Sequence, residues 1–552
     1  MAEFRGFGPP GTGKTSRLAT RDIPRAVDKH GPDGVMVVSF TRAAALEIAS
    51  KRSRETGQTI PLSPENIGTL HSICFRGFKQ PELMIQHTAQ WNEKFPQYAM
   101  TGQSKIDVEG AIDEQFSGSF GDKLLNLYNI LRAKMISPKA YPKQVSMFAN
   151  KWEAYKRSHN VFDFTDLIEK ALTDLPRAPG NPQVLFLDEV QDFSKLELTL
   201  ARSWGTLCEW MVMVGDDDQT IYGFTGADPK AFLNPPIADS HKFILKKSYR
   251  VPANILKRSM QLIRKVQYRE PKEYEPRDGD PGEVLESMEA WKSPDEVIDQ
   301  ATDYMRQGKS VMILASCSYM IDPVKRELKR RGIPFGNRYR IKRGDWNPLA
   351  AGNKKVTARD ILVRFIDSDP QDPYWSVPDL LDWVKNLKVG PEGLLPKRGN
   401  KAIAALKKAC EEGADGLHTC RNVLDNVLSP AAISPALNRN VEWLMENLKP
   451  AKQKSITYPV KVMRTVGEEF LKGPPLITIG TIHSVKGGEA DIVFLYPDIS
   501  IKAEEEAASN PDKMDNLRRL FYVGMTRAKE KLIIMSPNVN PNHIVKATFL
   551  DF

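Results

Sequence analysis

Residues Gly8-Pro9-Pro10-Gly11-Thr12-Gly13-Lys14-Thr15 set a Gly-Lys-Thr triplet behind an earlier glycine with four residues between, the phosphate-loop pattern. Glycines let the backbone curl so that successive N–H groups point at phosphate oxygens, while Lys14 adds a positive charge and Thr15 offers a hydroxyl to Mg²⁺. A helix beginning near Gly13 and running through Ser16 would turn its positive end toward the same anion. The chain is therefore expected to hold a nucleoside triphosphate. The pattern alone leaves kinase, GTPase, transporter ATPase and helicase open, so the choice falls to the remaining residues.

The 552 residues exceed one ordinary hydrophobic core and suggest about three or four domains. With 41% hydrophobic and 27% charged residues, the composition is that of a folded globular chain. A net charge of +9 favours a polyanionic partner. The five cysteines, at 74, 208, 317, 410 and 420, include no Cys-x-x-Cys pair, which fits a reducing compartment. No apolar run reaches membrane-spanning length and nothing ahead of the phosphate loop reads as a leader, so no membrane association is expected. Bacterial cytoplasm or nucleoid, or a phage-infected host cell, is the expected location.

Short apolar runs mark buried parallel strands at Val35–Val38, Val184–Leu187 and Met211–Val214, and again at Val311–Leu314, Leu476–Ile479, Ile492–Leu495 and Leu532–Met535. Residues just past such strands face the ligand crevice of an open α/β sheet. Phe40, Thr41 and Arg42 are so placed, although Phe40 fits a core equally well; Ala43–Ile48 reads as helix. Asp188 and Glu189 follow their strand directly, where Asp188 can hold Mg²⁺ and Glu189 can accept a proton from an attacking water. Asp216-Asp217-Asp218-Gln219 follows the next strand; the Gln219 amide is suited to sense a terminal phosphate, and Tyr222 and Phe224, two apart, to stack on unpaired bases. Asp163 and Asp166 form a weaker acidic group that reads as structural.

Between these strands the pattern turns helical. Leu124, Leu127, Tyr128 and Leu131 keep helical spacing, as do Val145, Phe148, Trp152 and Tyr155, and these aromatics read as core. Val377, Leu380, Leu381, Val384 and Leu387 repeat the spacing, as do Val441, Leu444, Met445 and Leu448. Lys325, Arg326, Lys329, Arg330 and Arg331 form the densest basic cluster, open to reading as a solvated helix face or a phosphate contact; Ala503–Glu506 reads as a solvated loop.

Taken in order, these residues resemble the UvrD/Rep-like group of superfamily 1A DNA helicases. Val38–Ala45 resembles that family's motif Ia, Gly68–Ser72 motif Ib, Leu187–Asp192 motif II and Val214–Phe224 motif III. Ser248-Tyr249-Arg250 resembles motif IV, Thr481–Glu489 motif V and Arg518–Ala528 motif VI. The resemblance implies an α/β fold of two RecA-like parallel-sheet lobes, each carrying a mostly helical inserted subdomain. The expected division is 1–78 with 160–240 for the first lobe, 79–159 for its insertion, 241–344 with 471–552 for the second lobe, and 345–470 for its insertion.

By the same resemblance ATP and Mg²⁺ are the cofactors. Arg250 and Arg527 supply positive charge to the transition state, Glu489 with Gly487 lies at the ribose, and Tyr249 stacks on adenine. Phe40, Thr41, Thr69, His71, Tyr222, Phe224 and His483 are nominated for DNA, although His71 and His483 also fit structural roles. Translocation 3′ to 5′ on single-stranded DNA, unwinding at single-strand/duplex junctions without sequence preference, and unnamed loading partners complete the expectation. A protein-displacing or RNA-tracking translocase, or a scaffold that closes on DNA without turnover, are the alternatives. Four departures stand out: Thr225 replaces a family arginine, Gly488 a leucine, Arg17 sits one place late, and Met1–Phe7 carry no adenine-reading glutamine.

Overall fold

The computed structural model describes residues 2–40, 48, 62–101, 118–339, 344–350, 356–367, 373–396, 398–411 and 419–538. Among the described residues, twelve strands form two six-stranded sheets. The first has the order β3-β2-β4-β5-β1-β6, built from β1 (Ala2–Phe7), β2 (Val35–Ser39), β3 (Ile67–Gly68), β4 (Val184–Asp188), β5 (Trp210–Gly215) and β6 (Lys242–Ile244). Every neighbouring pair in it is parallel. The second has the order β7-β12-β11-β8-β10-β9, from β7 (Glu283–Glu286), β8 (Val311–Ala315), β9 (Phe335–Gly336), β10 (Ile477–Thr481), β11 (Ala490–Leu495) and β12 (Ala528–Ile534). Its pairs β11/β12, β12/β7 and β10/β9 are parallel.

The central strands form where expected because unbroken apolar runs can be covered on both faces; β2 and β4 are buried at every position. Strand β1 was not foreseen. Its Glu3 and Arg5 are buried but satisfy each other at 2.6 Å, and Arg5 also donates to the carbonyls of Leu233 and Pro235. Of the expected helix Ala43–Ile48, only Ile48 is among the described residues, and it is helical and buried.

The chain divides into two compact units, one of 1–288, 314–318 and 481–552, the other of 289–313 and 319–480. In the first unit, helices Thr88–Lys94, Phe120–Ala133 and Lys143–His159 enclose Trp91, Phe148, Trp152 and Tyr155 in a core of their own. The aromatic stripe is thus packing. Leu127 departs from it and is exposed. Asp163 and Asp166 are buried against Arg132 and Lys156: Arg132 lies 2.9 Å from Asp163 and 2.5 Å from Asp166, and Lys156 lies 2.8 and 2.6 Å from the same pair. These carboxylates with Glu153 could geometrically hold a cation, but the two basic side chains already fill that role.

The second unit packs helices Ala358–Ile366, Val377–Val384, Val441–Asn447 and Pro450–Val466 around Phe365, Trp383 and Leu444. Its basic cluster lies on helix Ser318–Arg331, which carries Pro323 within it. Lys325 pairs with Asp322, Lys329 with Asp345, Arg330 with Glu327, and Arg331 with Asp295 and Asp299, so four of the five basic residues are engaged in ion pairs along the helix. Ala503–Glu506, expected as a loop, is helical within Ile501–Ser509, because Ser500 accepts from the Ala503 amide and starts the helix. No described helix is long and apolar enough to cross a membrane. None of the five cysteines is in a disulfide.

Candidate active site

Parallel strands deliver the residues after their carboxyl ends to one edge of the sheet. In the first sheet that edge receives the phosphate loop after β1, Phe40 after β2, Thr69 after β3, Asp188 at the end of β4 with Glu189 just past it, and Asp216–Gln219 after β5.

The phosphate loop runs into continuous helical structure from Lys14 to His30, with a π-helical segment at Leu18–Asp22. Gly13 caps it with φ 77° and with no side-chain hydrogen bond to the helix start. Lys14 is buried and donates to the Gly8 carbonyl at 2.6 Å across the loop. Thr15 Oγ1 donates to Asp188 Oδ2 at 2.9 Å. The other Asp188 oxygen, Oδ1, is buried without a hydrogen-bond partner among the described residues. Burial and the adjacent Glu189 raise the Asp188 carboxyl above the usual range. An orphaned carboxylate oxygen beside a hydroxyl is a donor set that fits Mg²⁺.

Glu189 sits in the left-handed backbone region, φ 54°, where the chain leaves β4 for a short 3₁₀ turn. Burial opposes its ionisation, but Lys14, Lys486, the Gln191 amide and Arg527 outweigh it and hold the carboxyl below the usual glutamate range. Gln191 binds Glu189 through Nε2 and accepts from the Asp216 amide through Oε1 at 2.9 Å. It thereby ties the two acidic loops together, and a Cβ on Gly215 would lie 2.5 Å from its Oε1.

Gln219 donates from Nε2 to Asp216 Oδ2 at 2.8 Å, while its Oε1 accepts from Arg527 Nη2 at 3.2 Å. Arg527 is buried and also donates to the carbonyls of Val523 and Gly488. Arg250 Nε contacts Glu489 Oε2 at 2.6 Å. The Tyr249 ring is exposed and lies 3.8 Å from where a Gly13 Cβ would be. Its amide donates to Gly11 O, and Ser248 and Tyr274 hydroxyls donate to Pro10 O at 3.1 and 2.6 Å. Gly487 has φ 85°, in the turn that leads to Glu489. Arg17 pairs with Asp22 at 2.9 Å and covers the Phe243 ring at 4.2 Å.

Beside these residues is an aromatic group. Phe40 and Tyr222 stack at 5.7 Å, and Phe224 meets both Tyr222 and His483 edge-on. Tyr222 and His483 are buried, whereas Phe40 and Phe224 are partly open. Thr69 caps the helix Leu70–Gly77 by accepting from Ser72 N, and His71 lies 3.6 Å from Glu197 and edge-on to Phe164. Thr41 and Arg42 lie outside the described residues. Lys486 joins the two groups: it pairs with Asp192, donates to Gln219 O at 2.9 Å and lies 4.7 Å over the Tyr222 ring. Burial, against the pull of Lys486, pushes Asp192 up to about 7. Gln191, Asp192 and Lys486 lay within recognised motifs without a role of their own; Phe164, half exposed beside His71, carried no signal beyond its place after Asp163.

A phosphate loop, an adjacent acidic pair and basic side chains from a distant segment define a P-loop nucleoside triphosphatase. The UvrD/REP helicase N-terminal domain matches residues 7–236, and the UvrD-like helicase C-terminal domain matches residues 449–538. Together they span more than half of the sequence, and the chain belongs to the UvrD/Rep family of superfamily 1 helicases; its enzyme class is ATP-hydrolysing DNA helicase. The chain is also similar to proteins described as ATP-dependent DNA helicase PcrA from Staphylococcus epidermidis and Staphylococcus aureus. Each is 24% identical, over 95% of this chain and 80% of the relative.

Proposed function

We propose that this chain couples ATP hydrolysis to 3′-to-5′ movement along single-stranded DNA and separates duplex ahead of it. The observation that carries the coupling is Lys486, which touches both the Gln219 loop and the Tyr222 ring. A change in the Gln219 loop on hydrolysis would reach the aromatic group through one side chain.

In this reading Gly8–Ser16 cradle the phosphates and Thr15 with Asp188 hold Mg²⁺, which supplies charge neutralisation when bound. Glu189 takes a proton from the water that attacks the γ-phosphorus as the bond to ADP breaks. Gln219 orients the γ-phosphate, and Arg250 and Arg527 offset the charge that develops there. Tyr249 lies on the adenine, with Gly487 and Glu489 toward the ribose. Phe40, Thr41, Arg42, Thr69, His71, Tyr222, Phe224 and His483 form the DNA track, in which stacking and phosphate contacts are indifferent to sequence. The proposed division is two RecA-like lobes with insertions at 79–159 and 345–470, closing on ATP and reopening after hydrolysis. The proposed setting is a bacterial cytoplasm or a phage-infected host cell, at single-strand/duplex junctions.

The test is ATP-driven unwinding of duplexes with 3′ or 5′ single-stranded tails, alongside ATPase activity with and without an oligonucleotide. Unwinding of the 3′-tailed duplex is expected. Preference for the 5′ tail reverses the polarity, DNA-stimulated hydrolysis without unwinding leaves a translocase, and hydrolysis indifferent to DNA sinks the motor.

A further inference from the structure

Lys272 stands outside every motif named above, in the segment after helix Ala253–Ile263. Its side chain is buried, with the ammonium 3.1 Å from Asp216, 3.0 Å from Asp218 and in direct contact with Asp217. All three aspartates are buried, contrary to the solvated loop that three successive carboxylates ordinarily form. Arg269 grips Asp218 through Nε and Nη2 at 2.9 and 2.6 Å, and the Glu270 amide donates to Asp217 at 2.9 Å. Arg519 donates to Asp217 O and to Tyr268 O, tying the same segment to the loop.

Within this cluster the aspartates differ in what they touch next. The Asp217 carboxylate is engaged by Lys272 and the Glu270 amide, and Asp218 by Lys272 and Arg269. Asp216 alone among the three also receives the Gln219 side-chain amide. A carboxamide has two ends of nearly equal size and opposite hydrogen-bonding character, so its orientation is decided by its partners. A carboxylate, which only accepts, selects the NH₂ end and leaves the carbonyl for Arg527.

We propose that Lys272 is a positioning residue for hydrolysis: by fixing the Asp216 carboxylate it sets which end of Gln219 meets Arg527. This rests on the roles given above to Gln219 and Arg527. Loss of the ammonium leaves Asp216 Oδ1 with the Asp218 amide at 3.3 Å, so the carboxylate can shift and Gln219 loses the fixed acceptor that holds its NH₂ end and so aims its carbonyl at the guanidinium.

The experiment compares Asp216→Asn with Asp217→Asn, which remove one charge each from the same cluster, together with Lys272→Met. Steady-state ATPase is measured with and without a saturating oligothymidylate, and oligonucleotide affinity without nucleotide is followed by fluorescence anisotropy. Asp216→Asn and Lys272→Met should lower the DNA-stimulated kcat by about tenfold or more while KM for ATP and oligonucleotide affinity stay within about twofold. Asp217→Asn should keep kcat within about twofold of the parent. Equal kcat for the two Asn variants overturns the relay through Asp216, whether or not Lys272→Met folds. A parent protein without DNA-stimulated ATPase is a failure of the function itself and is seen before any variant is made.

Discussion

Arg250 Nε donates to Glu489 Oε2 at 2.6 Å, so the basic group assigned to the γ-phosphate is paired, in this structure, with the carboxylate assigned to the ribose. Burial works against the Glu489 charge, but Arg250 foremost, then Lys529 and Arg527, keep the carboxyl below its usual range. Removing either partner therefore changes the other. Arg250→Ala should lower kcat by about 10²-fold or more, as loss of a transition-state donor does. Glu489→Gln should act mainly on KM for ATP. The double variant, measured in the same steady-state assay, should fall short of the product of the two single effects.

Glu189 and Lys14 separate binding from turnover. Glu189→Gln keeps the shape of the side chain and its neighbour Gln191 but cannot take a proton, so ATP binding should persist while turnover falls by about 10²–10⁴-fold. Lys14→Ala removes the buried cation that spans the loop and should abolish both. Fluorescent-nucleotide binding beside single-turnover hydrolysis distinguishes them; a Glu189→Gln protein with near-parental turnover removes Glu189 as the base.

The aromatic group should divide by exposure. Phe224 is partly open, and Phe224→Ala should weaken oligonucleotide binding by ~1–3 kcal/mol, the range of a lost base stack. Tyr222 is buried beneath Lys486, so Tyr222→Ala should also depress DNA-stimulated ATPase. Anisotropy and ATPase assays on the two variants give the comparison; identical profiles would remove the distinction.

His483 gives a pH test. Burial lowers its pKa from 6.5 to about 4, with Lys486 acting in the same direction. Above pH 6.5 the imidazole is neutral folded or unfolded, and its full contribution is present. As pH falls from 6.5 toward 4 the unfolded chain takes a proton that the native site refuses, so stability falls with decreasing pH, by about 3 kcal/mol at most. Denaturation midpoints at pH 7 and pH 5 should therefore converge more closely in His483→Gln than in the parent. An equal pH response in both proteins rules out His483 as the titrating group.

The buried cluster at Arg132 is predicted to be structural. Arg132→Met strands Asp163 and Asp166 beside Lys156 alone, and breaking a buried pair of this kind costs about 3–5 kcal/mol. Earlier proteolysis and a lower Tm are expected, with KM for ATP unchanged in the protein that remains folded. An undiminished Tm would mean that the remaining basic group suffices.

Legibility followed contiguity. Strands β2, β4 and β5 announce themselves as apolar runs, and Gly8–Thr15, Asp188–Glu189 and Gln219 lie in short patterns whose chemistry is local. Strand β1 was hidden because Glu3 and Arg5 interrupt it; the two neutralise each other, but the carbonyls that take up the remaining Arg5 donors, Leu233 O and Pro235 O, lie more than two hundred residues away. Lys272 was hidden for the same reason: 55 residues separate it from Asp217, and a lone lysine in a charged stretch carries no mark of burial. Tyr222 could be read as a base-stacking ring, but that it lies under Lys486 depends on a loop 264 residues later, which no local pattern encodes.

Gly11 occupies a position that the phosphate-loop pattern leaves free, yet its φ is 75° and a Cβ there would lie 2.5 Å from Arg250 Cβ and 2.9 Å from Ser248 Oγ. The restriction comes from residues about 240 places further along the chain. For protein engineers this means that the loop is not a portable cassette. A chimera that takes the first sheet from one relative and Ser248–Arg250 from another has to match them at residue 11, and Gly11→Ala should disturb the meeting of those segments even where every phosphate-binding group is intact.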